Sequence, residues 1–283
     1  MSSRAVLISG CSSGIGAATA AHLAAQGWTV YATARRVETL ADLEAKGCRT
    51  LALDVTDEAS CHAAVEAVEA AEGAVGVLIN NAGYSQSGAV ESVPDERVRA
   101  QFDTNVFGLL TMCRLALPKM REQRWGKIVN VSSMGGRFTF PGGGVYHASK
   151  HAVEALSDAL RFEVKGFGVD VIIIEPGIIR TRFGETAARE IDAGTRDPGP
   201  YGEFNQAVAE ATAGVYESGP LSRLGGPPEA VARKIEQAIT ARSPRTRYTV
   251  TPSARALITL RSVLRGRGWD AMLRGQFPRP GKR

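Results

Sequence analysis

Cysteine is scarce and unpatterned. The 283 residues hold four, Cys11, Cys48, Cys61 and Cys113, in no CxxC or CxxH spacing. That excludes a disulfide framework and a zinc site, and predicts reduced thiols in a cytoplasmic protein. No run approaches the ~18 uncharged apolar residues of a membrane span, and the opening MSSRAVLISG has too few apolar residues for a secretory leader. Aromatic residues are 6% of the chain and nowhere interleave with a basic stripe, so the body offers no nucleic-acid surface. Acidic residues are nearly missing from one region only. Residues 242–283 carry ten Arg and one Lys against Asp270, a net of +10, while the first 241 residues are net −5. The overall +5 is therefore a property of the tail.

What is present is ordinary globular material, 44% hydrophobic and 22% charged, enough for one large core rather than two small ones. Short β-branched runs alternate with Ala-rich segments of helical length. The predicted strands are Ala5 to Ser9, Thr29 to Ala34, Thr50 to Asp54, Val77 to Asn80, Lys127 to Val131, Val169 to Glu175 and Tyr248 to Thr251. Runs such as Val77-Leu78-Ile79 are apolar at consecutive positions, as strands covered on both faces must be. The predicted helices are Ile15 to Gln26, Ala59 to Glu72, Asp95 to Met120, Val145 to Phe162, Pro228 to Ala241 and Ser253 to Arg265, with Gly27, Gly73 and Gly166 at C-terminal cap positions. The alternation implies an α/β, doubly wound Rossmann fold, a central parallel sheet of about seven strands flanked by helices. Residues 181–228 are irregular, with short helical candidates at Phe183 to Ala193 and Phe204 to Glu217, and read as a substrate lid. The expected organisation is one domain over 1–251 and a basic amphipathic tail over 252–283.

After the first strand comes Gly10-Cys11-Ser12-Ser13-Gly14-Ile15-Gly16, followed at once by a helix. Glycines there let backbone N–H groups approach a pyrophosphate while the helix N-terminus attracts it. The second strand ends in Ala34-Arg35-Arg36 where an acid would bond the ribose 2′-hydroxyl of NAD. Arg35 offers a planar fork to a 2′-phosphate, with Ser12 as a second donor, which favours NADP(H) over NAD(H). Solvated loop arginines are the alternative. Cys11 beside the loop reads as a small loop residue.

Tyr146 and Lys150 form an i, i+4 pair on one helix face. A phenol titrates near 10, and a cation one turn away is what lets it exchange a proton near neutrality. Ser133 ends the fifth strand at the sheet's carboxyl edge, where a hydroxyl can bond a carbonyl. His147 and His151 turn away from the pair and read as packing residues.

The glycine loop, Asn80-Asn81-Ala82-Gly83, Asn105, Ser133, Tyr146, Lys150 and Pro176-Gly177 together resemble the short-chain dehydrogenase/reductase family over residues 5 to 181, with the loop and Arg35 region similar to its hydroxysteroid and retinol dehydrogenase branch. The resemblance implies a hydride transfer between nicotinamide and a carbonyl or secondary alcohol. It implies Tyr146 as general acid/base, Lys150 as its electrostatic partner and ribose ligand, Ser133 as carbonyl orienter, and Asn105 as holder of a water in the proton relay. It places Asp54 and Val55 at the adenine, Asn81 to Gly83 along the cofactor floor, and Pro176, Gly177 and Thr181 at the nicotinamide end. It also implies a homodimer or homotetramer.

Phe138, Phe140, Val145, Ile178, Phe183, Phe204 and Tyr216 are expected to line an apolar pocket for a lipophilic steroid, retinoid or polyketide-like ketone. The helix Ser253 to Arg265 places Ala256, Leu257, Leu260, Val263 and Leu264 on one face. That face either docks on the body or a second subunit, or lies weakly on an anionic membrane. A non-catalytic nucleotide-binding sensor of the same fold is the alternative to an enzyme, and an intact proton-relay set argues against it.

Overall fold

The computed structural model describes residues 2–181, 199–217 and 224–281. Seven parallel strands form one sheet in the order β3-β2-β1-β4-β5-β6-β7, from β1 (Val6–Ile8), β2 (Val30–Ala34), β3 (Arg49–Ala52), β4 (Val77–Asn80), β5 (Gly126–Val131), β6 (Val169–Pro176) and β7 (Arg247–Val250). The register joins Ile8 to Ala32 on one side and to Ile79 on the other. The order reverses between β1 and β4, and the loops leaving these two strands diverge to opposite sides, opening a crevice at the carboxyl edge.

Consecutive apolar residues in the strands go to opposite layers. Val6, Ile8, Val77, Ile79, Ile172 and Ile174 pack on one face with α1 (Gly14–Ala25) and the later helix α8 (Pro228–Thr240). Leu7, Leu78, Ile128 and Val171 pack on the other with α3 (Glu58–Glu72) and α5 (Gly108–Glu122). Helices on both faces leave no room for alternation with polar residues, which is why the strand sequences read as solid hydrophobic runs.

Local signals explain some helix ends. Asp57 caps α3, its carboxylate accepting from Ala59 N at 2.9 Å, and Gly73 ends it with φ 83°. The predicted helix over Asp95 to Met120 is broken. It consists of α4 (Asp95–Phe102), a π-helical turn (Asp103–Phe107) and α5. Gly166 does not cap the next helix, α6 (Gly144–Val164). A tighter turn over Lys165–Phe167 follows, and Gly168, with φ 80°, ends it. A short helix, α2 (Ala41–Glu44), lies between β2 and β3. In the irregular region the second candidate forms α7 (Gly202–Glu217). The first, Phe183 to Ala193, lies outside the described residues.

The C-terminal helix α9 (Pro252–Leu273) runs past its predicted end at Arg265, which sits at a kink with φ 53°. Its docking face also differs from the expected one. Leu257 is buried and Leu264 packs with it, but Ala256, Leu260 and Val263 face solvent. The docked side is instead Ala254, Leu257 and, beyond the kink, Trp269. No helix among the described residues is long and apolar enough to cross a membrane.

These placements predict a contrast in urea unfolding. Leu78→Ala, at a fully buried position in a central strand, lowers stability by about 3 kcal/mol. Val263→Ala, at a position 70% exposed, changes it by no more than about 0.5 kcal/mol.

Candidate active site

The crevice is a groove of about 720 Å³ that runs along the carboxyl edge of the sheet. Its floor is a hydrogen-bonded seam between the loops after β1 and β4. The Ser9 hydroxyl accepts from the backbone N–H groups of Asn81 and Ala82, both at 3.0 Å. The Asn81 carboxamide donates back to the carbonyls of Ser9 (3.0 Å) and Gly10 (2.9 Å). Such close approach forbids side chains on the facing residues. A Cβ on Gly10, where φ is 75°, would stand 2.9 Å from Ala82 Cα, and one on Gly16 would collide with the Gly10 carbonyl. Gly16 therefore packs the seam rather than lining the groove.

Ser13, extended at φ −167°, starts α1 without a side-chain cap. The first N–H groups of that helix are left for a ligand, and no acidic residue lies in the first turn to compete. Ser12, Ser13, Gly14 and Ile15 line the groove there. This cradle of uncapped donors and absent Cβ atoms fits a pyrophosphate. At one end, the exposed Arg35 lines the groove together with Asp54 and Val55. Asp54 is partly occupied, its Oδ1 accepting from the Thr56 hydroxyl at 2.7 Å. Arg36 does not line the groove, and its backbone turns away to accept from the Thr39 hydroxyl.

The other end gathers Ser133, Tyr146 and Lys150, with Pro176, Gly177 and Thr181 as the opposite wall. Ser133 follows β5 and hydrogen-bonds the Tyr146 phenol from across the groove. Its hydroxyl also accepts from Gly135 N at 3.0 Å. Lys150 is buried. Its ammonium donates to the Val131 carbonyl at 2.8 Å and lies 5.9 Å from the centre of the Tyr146 ring. Burial drives the two groups in opposite directions. It pushes the Tyr146 phenol up to about 12, only partly offset by the bond from Ser133. It lowers Lys150 to about 8, against the opposing field of Glu154 one turn further on. Both shifts oppose the charged form, as desolvation must.

Asn105 stands behind this end, in the π-helical turn, and does not itself line the groove. Its carboxamide brackets Tyr84, accepting from Tyr84 N at 3.2 Å and donating to Tyr84 O at 3.1 Å. A second donation reaches the Ser149 hydroxyl at 3.1 Å, which in turn donates to the Tyr146 carbonyl. The inserted residue of a π turn is a frequent mark of a functional position, and here it wedges Asn105 under Gly83 and Lys150.

Several site residues escape sequence reasoning. Ser9 looks like the last residue of an apolar strand, and its only signal is a hydroxyl facing a Gly-rich loop. Tyr84, Arg97, Asp103 and Thr104 also line the groove, on segments without local pattern. Among the described residues the expected apolar lining is not found at the groove: Phe138, Phe140, Val145, Ile178 and Phe204 pack into the body instead. Phe183 and the side chain of Tyr216 lie outside the described residues. His147 is buried, as its helix position predicts, and Cys11 is a buried thiol bonded to the Ile8 carbonyl. Among the described residues no cluster could hold a metal ion.

Comparison with known proteins is consistent with this geometry. Residues 4–192 match the family model of short chain dehydrogenases. A 3-ketodihydrosphingosine reductase of Bacteroides thetaiotaomicron is 44% identical over 184 residues, 65% of this chain and 66% of that protein, so the match spans just under two thirds of that relative. An NADPH-dependent 3-dehydrocapnine reductase of Ornithobacterium rhinotracheale is 36% identical over 258 residues, 88% of each chain. A crystal structure of a short-chain dehydrogenase from Streptomyces avermitilis superposes with a TM-score of 0.77 at 32% identity, covering 97% of this chain and 99% of that one. The chain belongs to the short-chain dehydrogenase/reductase family and is an oxidoreductase of that family.

Proposed function

We propose that this protein reduces the carbonyl of a lipophilic substrate, or oxidises the corresponding secondary alcohol, with NADP(H). The observation that carries this reading is the layout of a single groove. A guanidinium stands at one end, an uncapped helix N-terminus in the middle, and a Ser133–Tyr146–Lys150 cluster at the other end. A bound dinucleotide would supply the hydride that adds to the carbonyl carbon. Ser133 donates to the carbonyl oxygen and holds it beside the phenol. Tyr146 delivers its proton to that oxygen as negative charge develops, and takes it back in the oxidative direction. Lys150 stabilises the resulting phenolate by its charge, and Asn105 braces the helix that carries both groups through its bond to Ser149.

The choice of NADP(H) rests on Arg35. No acidic side chain follows β2 to accept from a ribose hydroxyl, and a guanidinium there pairs with a 2′-phosphate instead. The relative from Ornithobacterium rhinotracheale is itself named as NADPH-dependent. Two relatives are named as reductases of a 3-keto and a 3-dehydro compound, which supports a lipophilic ketone as substrate. Exposed Phe107 and Phe162 on the helices of one face suit a homo-oligomer. The non-catalytic alternative can use Lys150 on a ribose but has no use for a phenol hydrogen-bonded to Ser133 beside it.

Three outcomes follow. Tyr146→Phe lowers turnover by about a hundredfold or more while NADPH still quenches or shifts the protein's fluorescence as in the wild type. Arg35→Asp weakens NADPH binding by about tenfold to a hundredfold, as loss of a charged hydrogen-bonded pair does, and leaves NADH binding unimpaired in the same titration. The third concerns Lys150, whose folded value of about 8 lies below the unfolded value near 10.4. Between those values the unfolded chain holds more protons, so this group makes stability rise with pH. Thermal melts of the ligand-free protein should therefore show the wild type gaining on Lys150→Met from pH 8 to pH 10.

A further inference from the structure

The basic tail, which the sequence sets apart from the domain, meets the body at three points, the first of them at the wall of the groove. It begins at the wall of the nicotinamide end. A Cβ on Gly177 would strike the hydroxyls of Thr251 and Ser253, and Ser253 Oγ accepts from Ile178 N at 3.2 Å. It then crosses to the turn after β5. Trp269, 3% exposed, donates its indole N–H to the Thr139 carbonyl at 3.1 Å. Its ring packs on Phe138 and Phe140, with centroids 5.3 and 5.6 Å away. Finally Phe277 packs against the patch that Ala89 forms with Phe204 and Val208 of α7.

The middle contact leads to the reacting groups by an unbroken series of neighbours. Phe140 meets the edge of the His147 ring at 6.3 Å. His147 donates Nδ1–H to the Gly135 carbonyl at 2.9 Å, and the ring fills the space where a Cβ on residue 135 would stand. Gly135 N donates to the Ser133 hydroxyl. Burial holds His147 down to about 4, so the ring is neutral at ordinary pH and carries its proton on Nδ1, since a carbonyl accepts only from N–H. The turn itself has two adjacent glycines, Gly135 and Gly136, and is braced by contacts from outside it: Met134 packs in the same cluster as Phe138 and Trp269, and the His147 ring sits against Gly135. The kink at Arg265, a non-glycine residue at φ 53° and ψ −161°, re-aims the second half of α9 so that Trp269 enters the notch between the two phenylalanines. Such backbone persists only where surrounding contacts over-determine it.

We propose that residues 252–277 form a strap that runs from the groove wall to α7, and that Trp269 is a positioning residue that sets Ser133 through Phe140, His147 and Gly135. The proposal rests on the catalytic reading of Ser133 above. An active-site hydroxyl must be held to roughly 0.5 Å to act, and a turn with two adjacent glycines takes that precision from the side chains packed on it, His147 and the Met134–Phe138–Trp269 cluster.

The test uses the full-length protein with Trp269→Ala and Trp269→Phe, assayed below their melting temperatures for kcat and NADPH binding, alongside histidine side-chain ¹⁵N spectra. Trp269→Ala should lower kcat by about tenfold or more, as small misplacements of catalytic groups do. NADPH affinity should not change, and the Nδ1–H signal of His147 should broaden or shift to the other tautomer. Trp269→Phe, which keeps the ring contact, should restore most of the kcat and the signal. If Trp269→Ala does not fold, Phe140→Leu, at a half-buried position, carries the same expectation. Wild-type kcat in the alanine variant overturns the proposal, as does an unchanged His147 spectrum or a loss that phenylalanine does not rescue. Should the wild type turn over no carbonyl at all, the catalytic reading fails, and the His147 spectrum alone then decides whether the strap holds the turn.

Discussion

The groove depends on the seam between Ser9 and Asn81. Strand order reverses between β1 and β4, and two loops that leave a sheet in opposite directions would otherwise present unpaired backbone groups to one another. The Ser9 hydroxyl accepts two N–H groups and the Asn81 carboxamide donates to two carbonyls, so four part-buried backbone groups are satisfied by two side chains. This brings the loops within contact distance and makes glycine obligatory at positions 10 and 16. The lack of side chains there is in turn what opens the helix N-terminus to an anion. Fold, glycine pattern and anion site are consequences of one constraint.

The reacting end follows a different logic. There the sheet edge and α6 set a half-buried phenol and a buried ammonium side by side, and desolvation drives both toward neutrality. Negative charge on the phenol or on a ligand adds to the Val131 carbonyl and the field of Glu154 in stabilising the ammonium. The cluster's parts come from separate elements: Ser133 from the turn after β5, Tyr146 and Lys150 from α6, and Asn105 from a π turn between two helices. Contacts from outside the groove hold those elements in register, through Ser149 on one side and the His147–Trp269 path on the other.

Much of this was legible in the sequence, because it was written in local periods. Seven strands, their parallel sense and the double layer of helices follow from solid apolar runs alternating with Ala-rich segments. The glycine loop, Arg35, Tyr146 and Lys150 stand out because their types and spacings have a chemical reason. What was not legible depends on contacts between distant segments. The π turn at Asp103–Phe107 exists because Asn105 is bonded to Tyr84 and Ser149, and no helical period reveals an inserted residue. Gly166 and Gly168 are equivalent as sequence, and the turn at Lys165–Phe167 selects the second. Helix α9 continues past its predicted end at Arg265 because Trp269 is buried against Phe138 and Phe140. These two, read from the sequence as pocket residues, are packing partners of the tail. Their type was right for an apolar environment, and only the fold shows which one.

The central claim is that hydride and proton reach one carbonyl at the Ser133–Tyr146 end of the groove. It is tested most directly with NADPH deuterated at C4 and a panel of lipophilic ketones, with the alcohol product analysed by mass spectrometry. The account predicts one deuterium on the former carbonyl carbon for each NADPH consumed. NADPH that binds tightly yet passes deuterium to no ketone in the panel would contradict it and leave a nucleotide-binding protein without turnover.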